Sequence, residues 1–113
     1  MKITARKFSR NAPKKALLYS LAQSLIIKER IKTTLVRGKE AARLTEHLIT
    51  TGKKSDLSAE RELRRYLSDQ AARKVIKDLV PRYQERKGGY TRVIKLGQRG
   101  SDGAKIAFIE LVK

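Results

Sequence analysis

The chain has no cysteine and no tryptophan, one histidine, two prolines and only eleven acidic residues in 113. Each shortage closes off a class of chemistry. Without cysteine there is no disulfide framework and no thiolate metal site, a usage that fits a reducing compartment. The single histidine, His47, lies beside Leu48 in a helical stretch. It supplies neither a metal-ligand set nor a nucleophile–base pair, and reads as a surface or packing residue. Glu60 and Glu62 are two residues apart, so on a helix they point in different directions and form no carboxylate pair. No glycine loop ends in Lys-Ser/Thr. Two Phe and four Tyr are too few for base stacking to be a main binding mode. The longest uncharged stretch, residues 16–27, covers about half a membrane span, and the opening MKITARKFSRN lacks the apolar core of a secretory signal. The expectation is a soluble intracellular protein without catalytic activity, cofactor, metal, membrane partner or small-molecule substrate.

What the chain has in excess is positive charge. Twenty-eight Lys and Arg against eleven Asp and Glu leave +17. A domain so unbalanced repels itself unless a polyanion neutralises it. Nucleic acid is the leading candidate, because each phosphate paired with a cation also releases a condensed counterion. The charge is clustered. Residues 1–27 hold Lys2, Arg6, Lys7, Arg10, Lys14 and Lys15 and no acid; residues 86–100 hold Arg86, Lys87, Arg92, Lys95 and Arg99 and no acid. One such run would read as a solvated face, whereas two in a small chain favour polyanion contact. With few aromatics, the expected mode is phosphate recognition by Lys, Arg and glycine-turn N–H groups, which reads RNA shape more than sequence.

Periodicity sets out the elements. Residues 1–10 are basic and unpatterned, an arm expected to order on a partner. Asn11 can cap a helix over about 12–28, with Pro13 in its first turn and Leu17, Leu18, Leu21, Ala22, Leu25 and Ile26 on its apolar stripe. Lys14 and Lys15 oppose the macrodipole there, which suits a phosphate seat. RIKTTL, 30–35, is β-rich and reads as a short strand through Ile31 to Thr33 carrying Lys32, after which Thr34 caps a helix over about 35–51 with Ala41, Leu44 and Leu48 inward. Gly38 weakens its first turns. A third helix spans about 58–67, and a fourth is capped by Asp69 and stopped by Pro81. YTRVIKLG and KIAFIELVK are strands joined by QRGSDGAK. The order α-β-α-α-α-β-β predicts one α+β domain, residues 1–113, of two layers: a small mixed sheet packed against helices. In the first of these late strands, Val93 and Leu96 should join the sheet while Arg92, Lys95 and Arg99 project outward.

Two RNA-module motifs are weak. GQRG, 97–100, matches a KH clamp, but that loop joins helices and here the flanks are strands. RKGGYTRV opens like an RRM signature without its later aromatics.

A longer series is more specific. Pro81, Arg82, Tyr83, Gly88, Gly89, Tyr90, Thr91, Arg92, Lys95, Gly97, Arg99, Asp102, Ala104, Ile109, Glu110 and Leu111, supported by SLIIKERIKTTL at 24–35, resemble the bacterial large-subunit ribosomal protein family L-seventeen from about Arg10 onward. The resemblance implies an α+β fold, binding to large-subunit ribosomal RNA, neighbouring ribosomal proteins as partners, a place on the solvent side near the polypeptide exit, and a cytoplasmic, ribosome-bound location. It implies no activity or cofactor. The chain departs from the family pattern in three places. MKITARKF replaces a Met-Arg-His-Arg opening, Pro13, Lys14 and Lys15 occupy the neighbourhood of a His-Arg pair at the start of the first helix, and Gly100-Ser101-Asp102 replaces a Gly-Asp. The candidate RNA-binding residues are Lys2, Arg6, Lys7, Arg10, Lys14, Lys15, Lys32, Arg86, Lys87, Arg92, Lys95 and Arg99. A nucleoid-type DNA-binding protein is favoured by charge alone, but no recognition helix or minor-groove arm is clear. An RNA-processing enzyme would need a carboxylate or histidine cluster that the sequence does not offer.

Overall fold

In the computed structural model, residues 12–54, 56–100 and 102–113 are described, with side chains from residue 16 onward. Helix α1 spans Ala12–Lys28 and buries Leu18, Ala22, Leu25 and Ile26, positions three or four apart that stack on one face. The expected cap Asn11 and the basic arm, with Lys2, Arg6, Lys7 and Arg10, lie outside the described residues. At Glu29 the backbone turns into the left-handed region, φ 65°, and its N–H closes on the Leu25 carbonyl at 2.7 Å. Strand β1, Arg30–Thr34, follows directly. Its last residue doubles as the cap of helix α2, Leu35–Gly52: Thr34 Oγ1 accepts from the Arg37 N–H at 3.4 Å. Inside α2 the fully buried Thr45 hydroxyl donates to the Ala41 carbonyl at 2.8 Å, so its burial leaves no polar atom unpaired.

Helix α3, Leu57–Tyr66, is capped by Asp56, whose carboxylate accepts from the Ala59 N–H at 2.7 Å. The fourth helical run, α4, is α-helical over Asp69–Lys74, π-helical over Val75–Leu79 and α-helical again over Val80–Arg82. Two expectations are corrected here. Ser68, not Asp69, is the cap, its hydroxyl accepting from Ala71 N–H at 3.2 Å. Pro81 does not stop the run. It has no N–H to give the preceding turn and its ring crowds a carbonyl there. The turn ahead of it widens to a five-residue spacing, Val80 N–H to Val75 O, and the helix continues to Arg82.

Strands β2, Thr91–Gln98, and β3, Lys105–Leu111, complete a sheet ordered β1-β3-β2. The α+β class and element order match the sequence reading, but the sheet is antiparallel rather than mixed. β1 and β2 are each antiparallel to β3 and lie on its opposite edges, so no parallel pair meets. The helices cover one face. Its residues Ile31, Val93, Ala107, Ile109 and Leu111 join α1, α2 and α4 in one core. Gly38 marks the closest approach: a Cβ there would lie 2.7 Å from Ile109 Cδ1 and 3.3 Å from Thr33 Cγ2. Glycine at this point of α2 lets helix and sheet touch.

Candidate nucleic-acid interface

The segment that carries the second cation cluster is anchored by its uncharged residues. Tyr83 and Tyr90 are both 2% exposed, their rings 5.0 Å apart. The Tyr83 hydroxyl donates to the Val112 carbonyl, and Val112 N–H donates to the Tyr90 carbonyl at 2.8 Å. Thr91 gives both its N–H, at 3.1 Å, and its hydroxyl, at 2.8 Å, to Glu46 on α2. Lys53 donates to the Arg86 carbonyl and lies 4.7 Å from the centre of the Tyr90 ring. The aromatic half of GGYTR is therefore structural: it pins β2 to α2 and leaves the cations at the surface. Gly89, φ 65°, just ahead of β2, and Gly97, φ 97°, at an irregularity within the strand, take backbone conformations that side-chain-bearing residues rarely adopt, and local chain geometry accounts for both.

From Thr91 the strand alternates faces. Thr91, Val93 and Lys95 stand on the helix side, opposite Leu111, Ile109 and Ala107; Arg92 and Ile94 stand on the open side, opposite Glu110 and Phe108. Arg92 and Lys95 thus leave the sheet on opposite faces rather than together. Val93 packs against the core as expected, but Leu96 does not. A bulge between Lys95 and Gly97 leaves Leu96 without a partner on β3 and 46% exposed.

Carboxylates divide the cations into held and unheld. Glu110 lies between two arginines on the open face, 3.0 Å from Arg92 and 3.6 Å from Arg30. Arg99 binds Asp102 at 2.7 Å, and that contact with the Ala104 N–H bond holds the Asp102 carboxyl down at about 2. Lys32, Lys87 and Lys95 are exposed and make no ion pair among the described residues. Arg86 is exposed and donates to the Gly89 carbonyl at 3.2 Å. Lys14 and Lys15 fall in the first turn of α1, with side chains outside the described part. The structure thus brings Lys32, Arg92 and Arg99 to one side of the sheet and sends Lys95 to the other.

Sequence reasoning overlooked Arg30, whose guanidinium lies 3.8 Å over the Phe108 ring. The alternation of Arg30 and Lys32 on one strand would have found it. It also overlooked Lys39 and Arg43, exposed one turn apart on α2. At the bulged end of the open face a groove of about 440 Å³ is lined by Lys32, Leu96, Gln98, Arg99 and Ile106, among others. Among the described residues no group of three or more His, Cys, Asp or Glu is placed to hold a metal, and no helix is long and apolar enough to cross a membrane. His47 is exposed on α2.

Residues 17–112 match the family model of ribosomal protein L17. Proteins named as large ribosomal subunit protein bL17 are similar over nearly the whole chain. That of Halalkalibacterium halodurans is 48% identical, with 90% of this chain and 92% of the relative covered. That of Exiguobacterium sp. is 45% identical at the same coverage. That of Bdellovibrio bacteriovorus is 49% identical over 91% of this chain but 58% of its own longer sequence. Both the family match and relatives at this identity cover far more than half of the chain, so the protein belongs to the ribosomal protein L17 family of the large subunit.

Proposed function

We propose that the chain acts as one domain that binds large-subunit ribosomal RNA through Lys and Arg contacts to phosphates. It holds folded RNA segments in place beside neighbouring ribosomal proteins, on the solvent side near the polypeptide exit, in the cytoplasm. The contacts are assigned to Lys2, Arg6, Lys7, Arg10, Lys14 and Lys15 in the N-terminal part, and to Lys32, Arg86, Lys87, Arg92, Lys95 and Arg99 on and around the sheet. The observation that carries this reading is the rigid anchoring of β2 by Tyr83, Tyr90 and Thr91. That anchoring fixes exposed cations, of which Lys87 and Lys95 have no carboxylate partner among the described residues. With the backbone beneath them fixed, unneutralised cations lose only side-chain freedom on meeting a phosphate and gain counterion release.

Sedimentation of large subunits through a sucrose gradient after a high-salt wash tests the placement. Retention with the subunit supports an integral component; release to the top of the gradient or migration with DNA overturns it. Salt titration of purified protein on ribosomal RNA tests the residues. Lys95→Ala should flatten the slope of log K against log salt by about 0.7–0.9, the value of one lost phosphate contact. Arg92→Ala should flatten it less, because Glu110 already neutralises part of that charge. An unchanged slope for a folded Lys95→Ala protein rejects its contact.

A further inference from the structure

The open face of the sheet carries three rows of side chains, read across β1, β3 and β2. The first is Arg30, Glu110 and Arg92; the second is Lys32, Phe108 and Ile94; the third is Thr34, Ile106 and the bulge at Leu96–Gly97. Among the described residues no helix lies on this side; α2 meets the sheet through Ile109 and Thr33 on the other. The face is apolar at its centre and basic at its rim. Arg30, Lys32, Arg92 and Arg99 outnumber Glu110 and Asp102 by two charges. The guanidinium carbon of Arg30 lies over the Phe108 ring, 3.8 Å from its centre, with the Arg30 side chain still 53% exposed.

Building on the RNA-binding reading above, we propose that this face takes an unpaired RNA base, stacked on the outer plane of the Arg30–Phe108 pair, with the adjoining phosphate in the groove between Lys32 and Arg99. A guanidinium plane over an aromatic ring offers a base the same flat, polarisable surface as an aromatic side chain. The arginine is held in place from beneath by Phe108 and from the side by Glu110, so the platform exists before the base arrives. Lys32 pairs with Phe108 in the strand register, so the stacking plane and the phosphate groove are neighbours. Charge selects RNA over a protein as occupant: the rim has an excess of cations, and a stacked base brings its own phosphate to meet it. One such platform is consistent with a chain poor in aromatics, because it adds a local contact to a binding mode dominated by phosphates.

Arg30→Lys separates the two roles, since it keeps the charge and removes the plane. Glu110 retains Arg92 in that variant, and thermal unfolding checks that the fold is intact. Binding of the full chain to an oligouridylate and to an RNA duplex of equal length is measured over a range of salt. Arg30→Lys should weaken oligouridylate binding roughly tenfold with an unchanged salt slope, and leave duplex binding alone. Phe108→Leu should do the same. Equal losses on both RNAs, or no loss on either, overturn the stacking site while leaving phosphate binding in place. No loss on RNA together with failure of Arg30→Lys to bind a neighbouring ribosomal protein would make the face a protein contact, and also overturns it. If the unaltered protein binds neither RNA in a salt-dependent way, the broader RNA-binding reading falls first.

Discussion

A carboxylate stands at position 29 where the backbone would prefer glycine, and its side chain explains why. The left-handed φ of 65° costs roughly 1 kcal/mol for a residue with a Cβ. In return the carboxylate receives Arg82 at 2.7 and 3.0 Å and Lys74 at 2.8 Å, and Lys74 also donates to the Ile27 carbonyl at 3.0 Å. The Glu29 carbonyl accepts from Leu111 N–H at 2.9 Å, so one residue joins α1, β1, β3 and α4. Hydrogen bonds from Arg82 first, then Lys74, draw the Glu29 carboxyl down from 4.5 to about 2. Its side chain is 30% exposed, so solvent screening trims the benefit to about 2 kcal/mol. The folded-state value is depressed, so the benefit is complete above pH 4.5 and disappears as pH falls toward 2. Glu29→Gln should therefore lower stability by about 2 kcal/mol at pH 7, read from urea midpoints, and converge on the unaltered protein near pH 2. The same loss at every pH would mean that the charge of Glu29 is not what ties these elements together.

At the scale of elements, the contact between α2 and the sheet decides what position 38 can hold. Helix propensity alone predicts that Gly38→Ala stabilises by about 1 kcal/mol. The added methyl would lie 2.7 and 2.8 Å from two carbons of Ile109, which is fully buried and has nowhere to move. Overpacking wins, and Gly38→Ala should destabilise by about 1–3 kcal/mol in chemical unfolding. Pairing it with Ile109→Val, which removes the clashing Cδ1, should recover part of the loss beyond simple addition of the two effects. Additive effects would show that helix and sheet do not meet there. Much of the fold was legible from sequence because amphipathic spacing is local: the stripe of α1, the Thr34 cap and the alternation of β3 all read correctly. What sequence could not show depends on contacts between distant residues. The clearance at Gly38 and the antiparallel direction of both ladders are of that kind, whereas the widened turn that carries α4 past Pro81 is local and was missed because proline more often ends a helix than widens it. For the candidate site, charge clustering located the cations and the odd spacing of Arg92 and Lys95 already set them on opposite faces, but which of those faces meets the helices required the register. The partners Glu110 and Asp102 were visible only as scattered acids.

For the whole molecule, two electrostatic effects oppose each other. Local pairs such as Glu29 with Arg82 and Asp69 with Arg73, the latter 2.9 Å apart, favour the folded state and weaken as salt rises. The net charge of +17 disfavours it, because folding gathers uncompensated cations into a small volume, and that repulsion also weakens as salt rises. Their ranges differ. Ion pairs at contact are screened little, whereas cations spread over a body with a longest extent of 46 Å interact mainly across distances near or beyond the screening length of about 10 Å at 0.1 M salt. Long-range repulsion is therefore lost first. The melting temperature of the isolated protein should rise between about 20 and 200 mM sodium chloride. Fitted to the proposed function, it should rise further at low salt on adding RNA, because a ligand bound only by the folded state stabilises it. A melting temperature that falls with salt would reverse the ranking. It would show that the eleven acids, few as they are, stand close enough to their partners to outweigh an excess of seventeen charges.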